Sequence, residues 1–339
     1  MTKFERLQHV LHNEPVDYTP VALFHHFTGP EAWNNGLHNE AAFEQNIAGH
    51  AEALKKFDPD LVKIMNDTLM MMEIDVSFVQ KAEDLRRIRV PGVGSPFFEK
   101  TRELVQRVIK IYEGCGAPIY FTGFSPVMVL RNCVSGMDLG TEITSTPKLV
   151  QYMQEDPDSV VCALNMIADS VMDLNTMVIK ECGVDGIYMS VNNQAHYFPD
   201  EMYAQYVVPI EQRIMLHAKG LSDINLLHIC GYHGFANNLQ LFKDYEAAGF
   251  NWAVHAEGIS LSEGKKIFGG KPVFGGFEQT GVIYTGTREE VEAATRQILD
   301  EAGQVGIMIG ADCTVPTDID DDRLNWVREE SRKYAAEHQ

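Results

Sequence analysis

Residues 224–231, INLLHICG, form a short apolar run that ends at a glycine, and this pattern predicts a buried β-strand. Seven further runs of this kind are spaced along the chain, and longer amphipathic stretches lie between them. The predicted strands cover residues 19–24, 61–65, 119–123, 186–190, 224–230, 252–255, 272–275 and 307–310. The predicted helices cover residues 40–57, 97–113, 157–181, 200–219, 237–248, 288–302 and 321–336. Eight strand–helix alternations predict a closed parallel (β/α)8 barrel, the TIM barrel.

The composition agrees with one such barrel over residues 1–339. The chain has 339 residues, 45% of them hydrophobic, and a (β/α)8 barrel of that length is common as one unit. No Pro/Gly/Ser-rich linker and no low-complexity segment marks a domain boundary. Residues 69–89 fit the alternation poorly, and they are predicted to form a lid or a small hairpin. We therefore expect a single domain.

The charge and the cysteines limit the partners and the compartment. The net charge of −20 argues against nucleic acid and against anionic membrane surfaces. Six irregularly spaced cysteines are typical of reduced thiols, and the first residues lack the apolar core of an export signal. No apolar run approaches the ~20 residues that a membrane span needs. The sequence predicts a cytoplasmic protein.

Three side chains near the predicted strand ends suggest a metal site. His228 and Cys230 are two residues apart on one strand, so their side chains point the same way. Cys313 follows the last predicted strand, and the carboxyl ends of all eight strands meet at the active face of such a barrel. One nitrogen and two sulfurs suit Zn²⁺ and leave a fourth position open, as in catalytic zinc sites. The alternative is a core histidine beside buried free cysteines.

Further polar residues follow other predicted strands and are candidates for substrate binding. His255 and Glu278 are also candidates for a fourth zinc ligand, and a structural role for each remains open. Arg131 is a candidate partner for an anion, with a surface ion pair as the alternative. The substrate-binding candidates are His25, His26, Asp67, Tyr188, His196, His255 and Glu278.

Several short motifs carry a family resemblance. Residues 5–6 (ER), 14–21 (EPVDYTPV), 183–187 (GVDGI), 209–210 (PI), 228–231 (HICG) and 287–291 (TREEV) occur in this order. Together they resemble the uroporphyrinogen decarboxylase superfamily, and within it the methylcobamide:thiol (coenzyme M-type) methyltransferases. The resemblance extends over nearly the whole chain. It implies that His228, Cys230 and Cys313 are the zinc ligands, as the corresponding His-x-Cys pair and later cysteine are in that branch.

The chain also departs from the decarboxylases. An arginine-rich loop follows their first strand, whereas residues 24–30 read FHHFTGP here. Asp67 matches the family's aspartate after the second strand, but Asp312 and Cys313 occupy the region of the family's late histidine. Residues 192–196, NNQAH, differ from the aspartate-containing loop common among relatives, so the acceptor need not be coenzyme M. Decarboxylase activity is therefore disfavoured.

The resemblance implies a zinc-dependent methyltransferase that moves a methyl group from a methylated corrinoid protein to a thiol or to another acceptor such as tetrahydrofolate. Zinc suits this chemistry because it converts a thiol, a poor nucleophile at neutral pH, into a thiolate. The chain has no Asp-x-His-x-x-Gly cobalamin motif, so we expect methylcobamide on a partner corrinoid protein. Two alternatives remain: a metal-independent decarboxylase and a non-catalytic corrinoid-binding family member.

Overall fold

The centre of the fold is a ring of eight parallel strands. The structure is a computed structural model, and it describes residues 1–135, 146–195, 197–231 and 234–338. Ladders of hydrogen bonds join the strands in the order 1, 8, 7, 6, 5, 4, 3, 2, which is the ring of a (β/α)8 barrel. The predicted fold class is confirmed. In chain order the strands are β1 (Val21–Ala22), β2 (Val62–Ile64), β3 (Ile119–Phe124), β4 (Gly186–Val191), β5 (Leu226–Ile229), β6 (Gly249–Trp252), β7 (Val273–Phe277) and β8 (Ile307–Ala311).

A buried carboxylate connects β1 to the segment that leads into β2. Asp60 accepts hydrogen bonds from the Val21 backbone nitrogen at 3.1 Å and from the Tyr18 hydroxyl at 2.6 Å. The first strand has only two residues, so few backbone hydrogen bonds are available on this side. The side chain of Asp60 thus replaces ladder bonds at the seam of the ring.

The helices surround this ring. Thr287 accepts a hydrogen bond from the Glu290 backbone nitrogen at the start of one helix, and Gly303 ends the same helix. Short 3-10 segments occupy Pro30–Ala32, Ala82–Arg87 and Leu239–Phe242, and a π-helical segment occupies Met177–Cys182. The α-helices are α1 (Lys3–Leu11), α2 (Glu40–Lys56), α3 (Pro96–Ile111), α4 (Pro126–Ser135), α5 (Lys148–Glu155), α6 (Pro157–Thr176), α7 (Asp200–Tyr206), α8 (Val208–Lys219), α9 (Val254–Glu257), α10 (Leu261–Ile267), α11 (Val282–Thr285), α12 (Arg288–Ala302) and α13 (Asp322–Glu337).

Large side chains fill the amino-terminal part of the barrel interior. Tyr120, Tyr188, Leu226, Phe274 and Met308 belong to one buried cluster. His228 lies two residues beyond Leu226 on β5, so its side chain points to the same interior one layer higher. The polar interior therefore begins near the carboxyl ends of the strands, where barrel enzymes hold their active sites.

Two predicted elements differ from the structure on this side of the barrel. The sixth strand is Gly249–Trp252 rather than residues 252–255, because Val254–Glu257 turns into a short helix that ends at Gly258 with φ +65°. Residues 237–248 contain only the 3-10 segment Leu239–Phe242 instead of a long helix. Asn237 holds the chain there, because its side chain donates to the Cys230 carbonyl at 3.1 Å and to Glu257 at 2.9 Å.

Other differences concern the helices. The helix predicted over residues 200–219 is divided into α7 and α8, since Pro209 has no backbone N–H to continue the first helix. Residues 69–89 form no hairpin, and the described secondary structure there is the segment Ala82–Arg87. Six helices lie outside the predicted ranges: α1, α4, α5, α9, α10 and α11. Within the described ranges, no helix is long and apolar enough to cross a membrane.

Candidate metal centre

His228, Cys230 and Cys313 lie together at the carboxyl end of the barrel. One ligand atom from each residue, a ring nitrogen or a sulfur, falls within 4.8 Å of the other two. The Nε2 atom of His228 is 4.0 Å from the Sγ atom of Cys313. His228 lies on β5 and Cys230 lies just after it, and both residues are buried. Cys313 follows β8 and is partly exposed. The structure thus brings together the three side chains that the sequence nominates as ligands.

The amide of Asn251 fixes the tautomer of His228. The Asn251 Nδ2 group donates to the carbonyl oxygens of Phe274 at 2.8 Å and Ala311 at 3.2 Å, so its Oδ1 atom faces His228. That oxygen is hydrogen-bonded to the Nδ1 atom of His228, which must therefore carry the ring proton. The Nε2 lone pair then points towards Cys313, as a metal-binding imidazole requires.

Tyr188 holds the other side of the imidazole. Its ring stacks on His228 with the centroids 5.4 Å apart, and its hydroxyl donates to Asn251 Oδ1 at 3.3 Å. Burial raises the pKa of Tyr188 well above its ordinary value, so the phenol stays protonated and remains a donor. Two neighbours therefore restrict the rotation of one ring.

The surroundings of Cys313 favour the thiolate form of its side chain. The hydrogen bond from the Cys230 side chain holds the pKa of Cys313 well below its ordinary value, although desolvation acts in the opposite direction. The nearby ammonium group of Lys63 adds a smaller effect in the same direction. Thiolates rather than thiols bind metals, so this environment favours the ligand form of Cys313.

The three candidate ligands line a cavity of about 460 Å³, which we call the inner cavity. Its wall combines aromatic and aliphatic side chains with a few polar groups, which is typical of small-molecule sites. The aromatic part includes Phe24, Trp33, Phe124, Tyr188 and Phe274. The polar part includes His26, Lys63, Asp67, Arg131, Ser190, Asn192, Asn251 and Thr314.

A chain of polar contacts continues from Cys313 along the wall. His26 Nε2 lies 3.0 Å from the Thr314 hydroxyl, and its Nδ1 lies 2.9 Å from the Thr68 hydroxyl. Burial lowers the pKa of His26, so the neutral imidazole is favoured. Lys63 donates from Nζ to Asp67 Oδ2 at 2.6 Å. Burial acts most strongly and would raise the pKa of Asp67, but the nearby charges, that of Lys63 first, and the hydrogen bond from Lys63 together lower it.

The remaining candidates divide between this cavity and other places. His26, Asp67 and Tyr188 line the inner cavity, whereas His25 points away from it and pairs through Nε2 with Asp321 at 2.8 Å. The prediction for His196 lies outside the described residues.

His255 and Glu278 do not face the three ligands. They line a separate cavity of about 330 Å³, which we call the outer cavity. The pKa of His255 is raised by its hydrogen bond from Nδ1 to Asp312 Oδ2 at 3.0 Å, against the effect of desolvation. His255 begins a helical turn rather than ending the sixth strand, and this change of direction carries its side chain outward.

Sequence reasoning missed two interior residues. Asn251 lies within β6 and Lys63 within β2, and each is a polar side chain inside an otherwise apolar run. That pattern was the available signal, because a buried polar group in a strand needs a partner. Arg131 is 8% exposed and lines the inner cavity. The alternative prediction, that Arg131 forms an ion pair on the surface, is therefore wrong.

The chain belongs to the uroporphyrinogen decarboxylase (URO-D) family, whose model matches residues 2–334. Among solved structures, a methyltransferase from Methanosarcina mazei is 17% identical with a TM-score of 0.74, over 98% of this chain and 99% of that one. A B12-independent methionine synthase from Shewanella sp. W3-18-1, in complex with selenomethionine, is 13% identical with a TM-score of 0.59, over 95% and 98%. A search of curated proteins found no match. At these identities the structural likeness shows the fold.

Proposed function

We propose that this protein is a zinc-dependent methyltransferase that moves a methyl group from a methylated corrinoid protein to a thiol. The observation that carries the proposal is the convergence of His228, Cys230 and Cys313 within 4.8 Å on the wall of the inner cavity. Two thiolates and one imidazole are a zinc donor set, and catalytic zinc sites keep a fourth position for substrate.

The residues present fit Zn²⁺. The tautomer of His228 leaves Nε2 without a proton, and the low pKa of Cys313 supplies a thiolate. Bound zinc would lower the pKa of an acceptor thiol and keep its sulfur nucleophilic. The donor set therefore matches both the metal and the chemistry.

The chain's own residues would position the acceptor and exclude water. Asn251 and Tyr188 hold the imidazole, while Phe24, Trp33 and Phe124 form apolar wall around the reaction volume. In the transfer, a sulfur electron pair forms the new carbon–sulfur bond as the cobalt–carbon bond breaks. The corrinoid donor would keep the electron pair of that broken bond, and the thiol proton would be released when the thiol binds, before the transfer.

The comparisons support this class of reaction without fixing its partners. The similar structure from Methanosarcina mazei is named a methyltransferase, and the other is named a methionine synthase. Because the latter is named B12-independent, the methyl donor needs its own test. Methylcobalamin and methyltetrahydrofolate should be offered in parallel, and the proposal expects transfer from methylcobalamin.

The decisive experiment combines metal analysis with methyl transfer. Purified protein should contain about one zinc per chain, and it should demethylate methylcobalamin in the presence of a thiol, followed by visible absorbance. His228→Ala should lose both properties. His255→Ala is the matched control, because that histidine lines the outer cavity, and it should keep both. Metal-free protein, or turnover that survives removal of zinc by a chelator, would refute the proposal.

A partner experiment separates catalysis from mere binding. A non-catalytic family member would bind a methylated corrinoid protein and leave its methyl group in place with every acceptor. The proposal expects the cobalt–carbon bond of that protein to be cleaved once thiol is added, with methyl thioether as product.

A second candidate, decarboxylation of a tetrapyrrole, has one favourable observation. Asp67 lines the inner cavity, and its Oδ1 atom has no hydrogen-bond partner among the described residues. Its other oxygen, however, accepts a hydrogen bond from the Lys63 ammonium group. Residues 24–30 also contain no arginine that could bind the carboxylates of such a substrate. Incubation with uroporphyrinogen, with mass analysis for loss of CO₂, decides between the two candidates.

A further inference from the structure

His26 connects the candidate metal centre to a buried carboxylate. Its Nε2 atom lies 3.0 Å from the Thr314 hydroxyl, and that hydroxyl lies 3.9 Å from Cys313 Sγ. On the other side of the ring, Nδ1 lies 3.8 Å from Asp67 Oδ1. His26, Asp67 and Thr314 all line the inner cavity. A carboxylate, an imidazole and a hydroxyl therefore follow one another along the wall, and the hydroxyl contacts a candidate ligand.

One oxygen of this carboxylate has no donor. Asp67 Oδ1 is buried and has no hydrogen-bond partner among the described residues, whereas Oδ2 accepts a hydrogen bond from Lys63. Buried polar atoms in folded proteins are nearly always hydrogen-bonded, and exceptions call for an explanation. A positively charged His26 would supply a cationic N–H group beside Oδ1. The unpaired oxygen is explained if this ring takes up a second proton in the working enzyme.

The charge of Asp67 also favours one tautomer of the neutral ring. A carboxylate near Nδ1 stabilises the form of histidine that carries its proton on that nitrogen. The Thr68 hydroxyl, 2.9 Å from Nδ1, accepts the hydrogen bond from this N–H group. Nε2 then keeps a lone pair and accepts a hydrogen bond from the Thr314 hydroxyl. A proton that reaches Thr314 can therefore continue to His26.

The surroundings of His26 keep the resting ring neutral. His26 is 8% exposed, and this burial has the largest effect on its pKa, which it lowers. The charges of Lys63 and His25 act in the same direction as burial. The charges of Asp67 and of the Cys313 thiolate oppose them and favour the protonated ring. A neutral imidazole is the form that accepts a proton, so the resting ring is ready to act as a base.

We propose that His26 receives the proton of the methyl-accepting thiol through the Thr314 hydroxyl, and that Asp67 stabilises the imidazolium that forms. The sulfur–hydrogen bond of the thiol breaks, and the sulfur keeps the electron pair. The proton goes to Thr314 Oγ1 while the hydroxyl proton of Thr314 goes to His26 Nε2. Release of that proton to water later restores the neutral ring. This inference rests on the proposed function, because it assigns the destination of the thiol proton in the same site.

The first test counts the protons that are released when a thiol binds. Mercaptoethanol is titrated into the zinc-loaded protein at about pH 6.5, the ordinary pKa of histidine. Calorimetry in two buffers of different ionisation enthalpy gives the number of protons that reach the buffer. The wild type should release fewer protons than it binds thiol molecules, because His26 keeps part of them. His26→Gln should release a full equivalent. A full equivalent from the wild type as well would overturn the inference.

The kinetic test uses two substitutions that differ in one hydroxyl group. Thr314→Val keeps the shape of the side chain and interrupts the relay, so kcat for demethylation of methylcobalamin with mercaptoethanol should fall about 100-fold or more. Thr314→Ser keeps the hydroxyl and should retain most of the rate, and both variants should retain zinc. His38→Gln is the matched control for His26→Gln, because His38 pairs with Glu73 at 3.0 Å but its side chain is 63% exposed. Equal rates in the two Thr314 variants would contradict the relay.

A measurement without thiol or methyl donor separates this inference from the proposed function. NMR of protein labelled with nitrogen-15 in its histidines follows ring protonation, and His26→Gln identifies the signal of His26. Asp67→Asn should lower the pKa of His26, because the charge of Asp67 favours the protonated ring. The same comparison in a Lys63→Met background excludes an effect of the unpaired lysine. If the pKa falls but no methyl group moves, the proposed function fails while the His26–Asp67 pair stands. If the pKa is unchanged, the relay is wrong whatever the activity.

Discussion

The inner and outer cavities contrast through two consecutive residues after β8, Asp312 and Cys313. Cys313 lines the inner cavity with His228, whereas Asp312 accepts a hydrogen bond from His255, which lines the outer cavity. His26 and His228 line the inner cavity, whereas His255 lines the outer one. Cys230 and Cys313 line the inner cavity together with several aromatic side chains, whereas no cysteine is among the described residues that line the outer cavity.

The two histidines show what this difference means. His228 is 6% exposed, and Asn251 and Tyr188 fix its ring. The side chain of His255 is 49% exposed and is held by Asp312. Water screens interactions around the outer histidine, while those around the inner one act at low dielectric. Equivalent substitutions should therefore cost much more in the inner cavity.

The largest contrast is expected between the two adjacent residues after β8. Cys313→Ala removes a proposed zinc ligand, and turnover should fall by at least about 10⁴-fold, the scale for a residue that acts within a catalytic unit. Asp312→Asn should retain zinc, because that side chain faces His255 instead. Zinc content and initial rates of methylcobalamin demethylation measure both. Equal losses in the two variants would erase the distinction between the cavities.

This contrast also marks what the sequence can predict. The barrel could be predicted from the apolar runs. Strands and helices differ in side-chain periodicity, so the spacing and length of the runs indicate which element each one forms. The convergence of the three candidate ligands His228, Cys230 and Cys313 could be predicted, because the rule that strand ends converge needs no side-chain detail. The same rule does not decide which cavity His255 and Glu278 line, since a strand end has an inner and an outer side. Asn251 depends on the register between β5 and β6, which no local pattern encodes.

The next largest effect is expected at Lys63 in the inner cavity. The Lys63 side chain is 3% exposed and that of Asp67 is 16% exposed, with Nζ and Oδ2 2.6 Å apart. Lys63→Met leaves a buried carboxylate without its cation, which typically costs about 3–5 kcal/mol. The free energy of unfolding in urea measures the loss. Lys55 forms an ion pair with Glu52, and the two side chains are 69% and 55% exposed. Lys55→Met should therefore lower the free energy of unfolding by less than about 1 kcal/mol.

Removing both members of the pair tests that explanation. If the cost at Lys63 comes from an uncompensated charge, Asp67→Asn in the Lys63→Met background should restore part of the stability. A double variant that is less stable than Lys63→Met would show that packing around Lys63, rather than the charge of Asp67, dominates.

An intermediate effect is expected from Asn251, which contacts a ligand but not the proposed metal. Asn251→Ala frees the His228 ring to adopt the other tautomer, and zinc affinity should fall about 10- to 100-fold, as for other residues that orient metal ligands. Competition with a chromogenic chelator gives the affinity. Asn238→Ala, a substitution of a similar amide that pairs with Asp200, should leave zinc affinity unchanged. Unaltered affinity in Asn251→Ala would mean that Tyr188 alone orients the imidazole.

The smallest effect is expected at His255, and it should depend on pH. Asp312 raises the pKa of His255 above its ordinary value of 6.5, so the folded protein binds this proton more tightly than the unfolded chain. The resulting stabilisation is fully present below pH 6.5 and is lost as the pH rises through the raised pKa. Because His255 is half exposed, His255→Asn should lower the free energy of unfolding by less than about 1 kcal/mol near pH 5.5. Its zinc content should match that of the wild type. The difference between the two proteins should shrink by pH 9, and a constant difference across this range would assign the contribution of His255 to packing rather than to its charge.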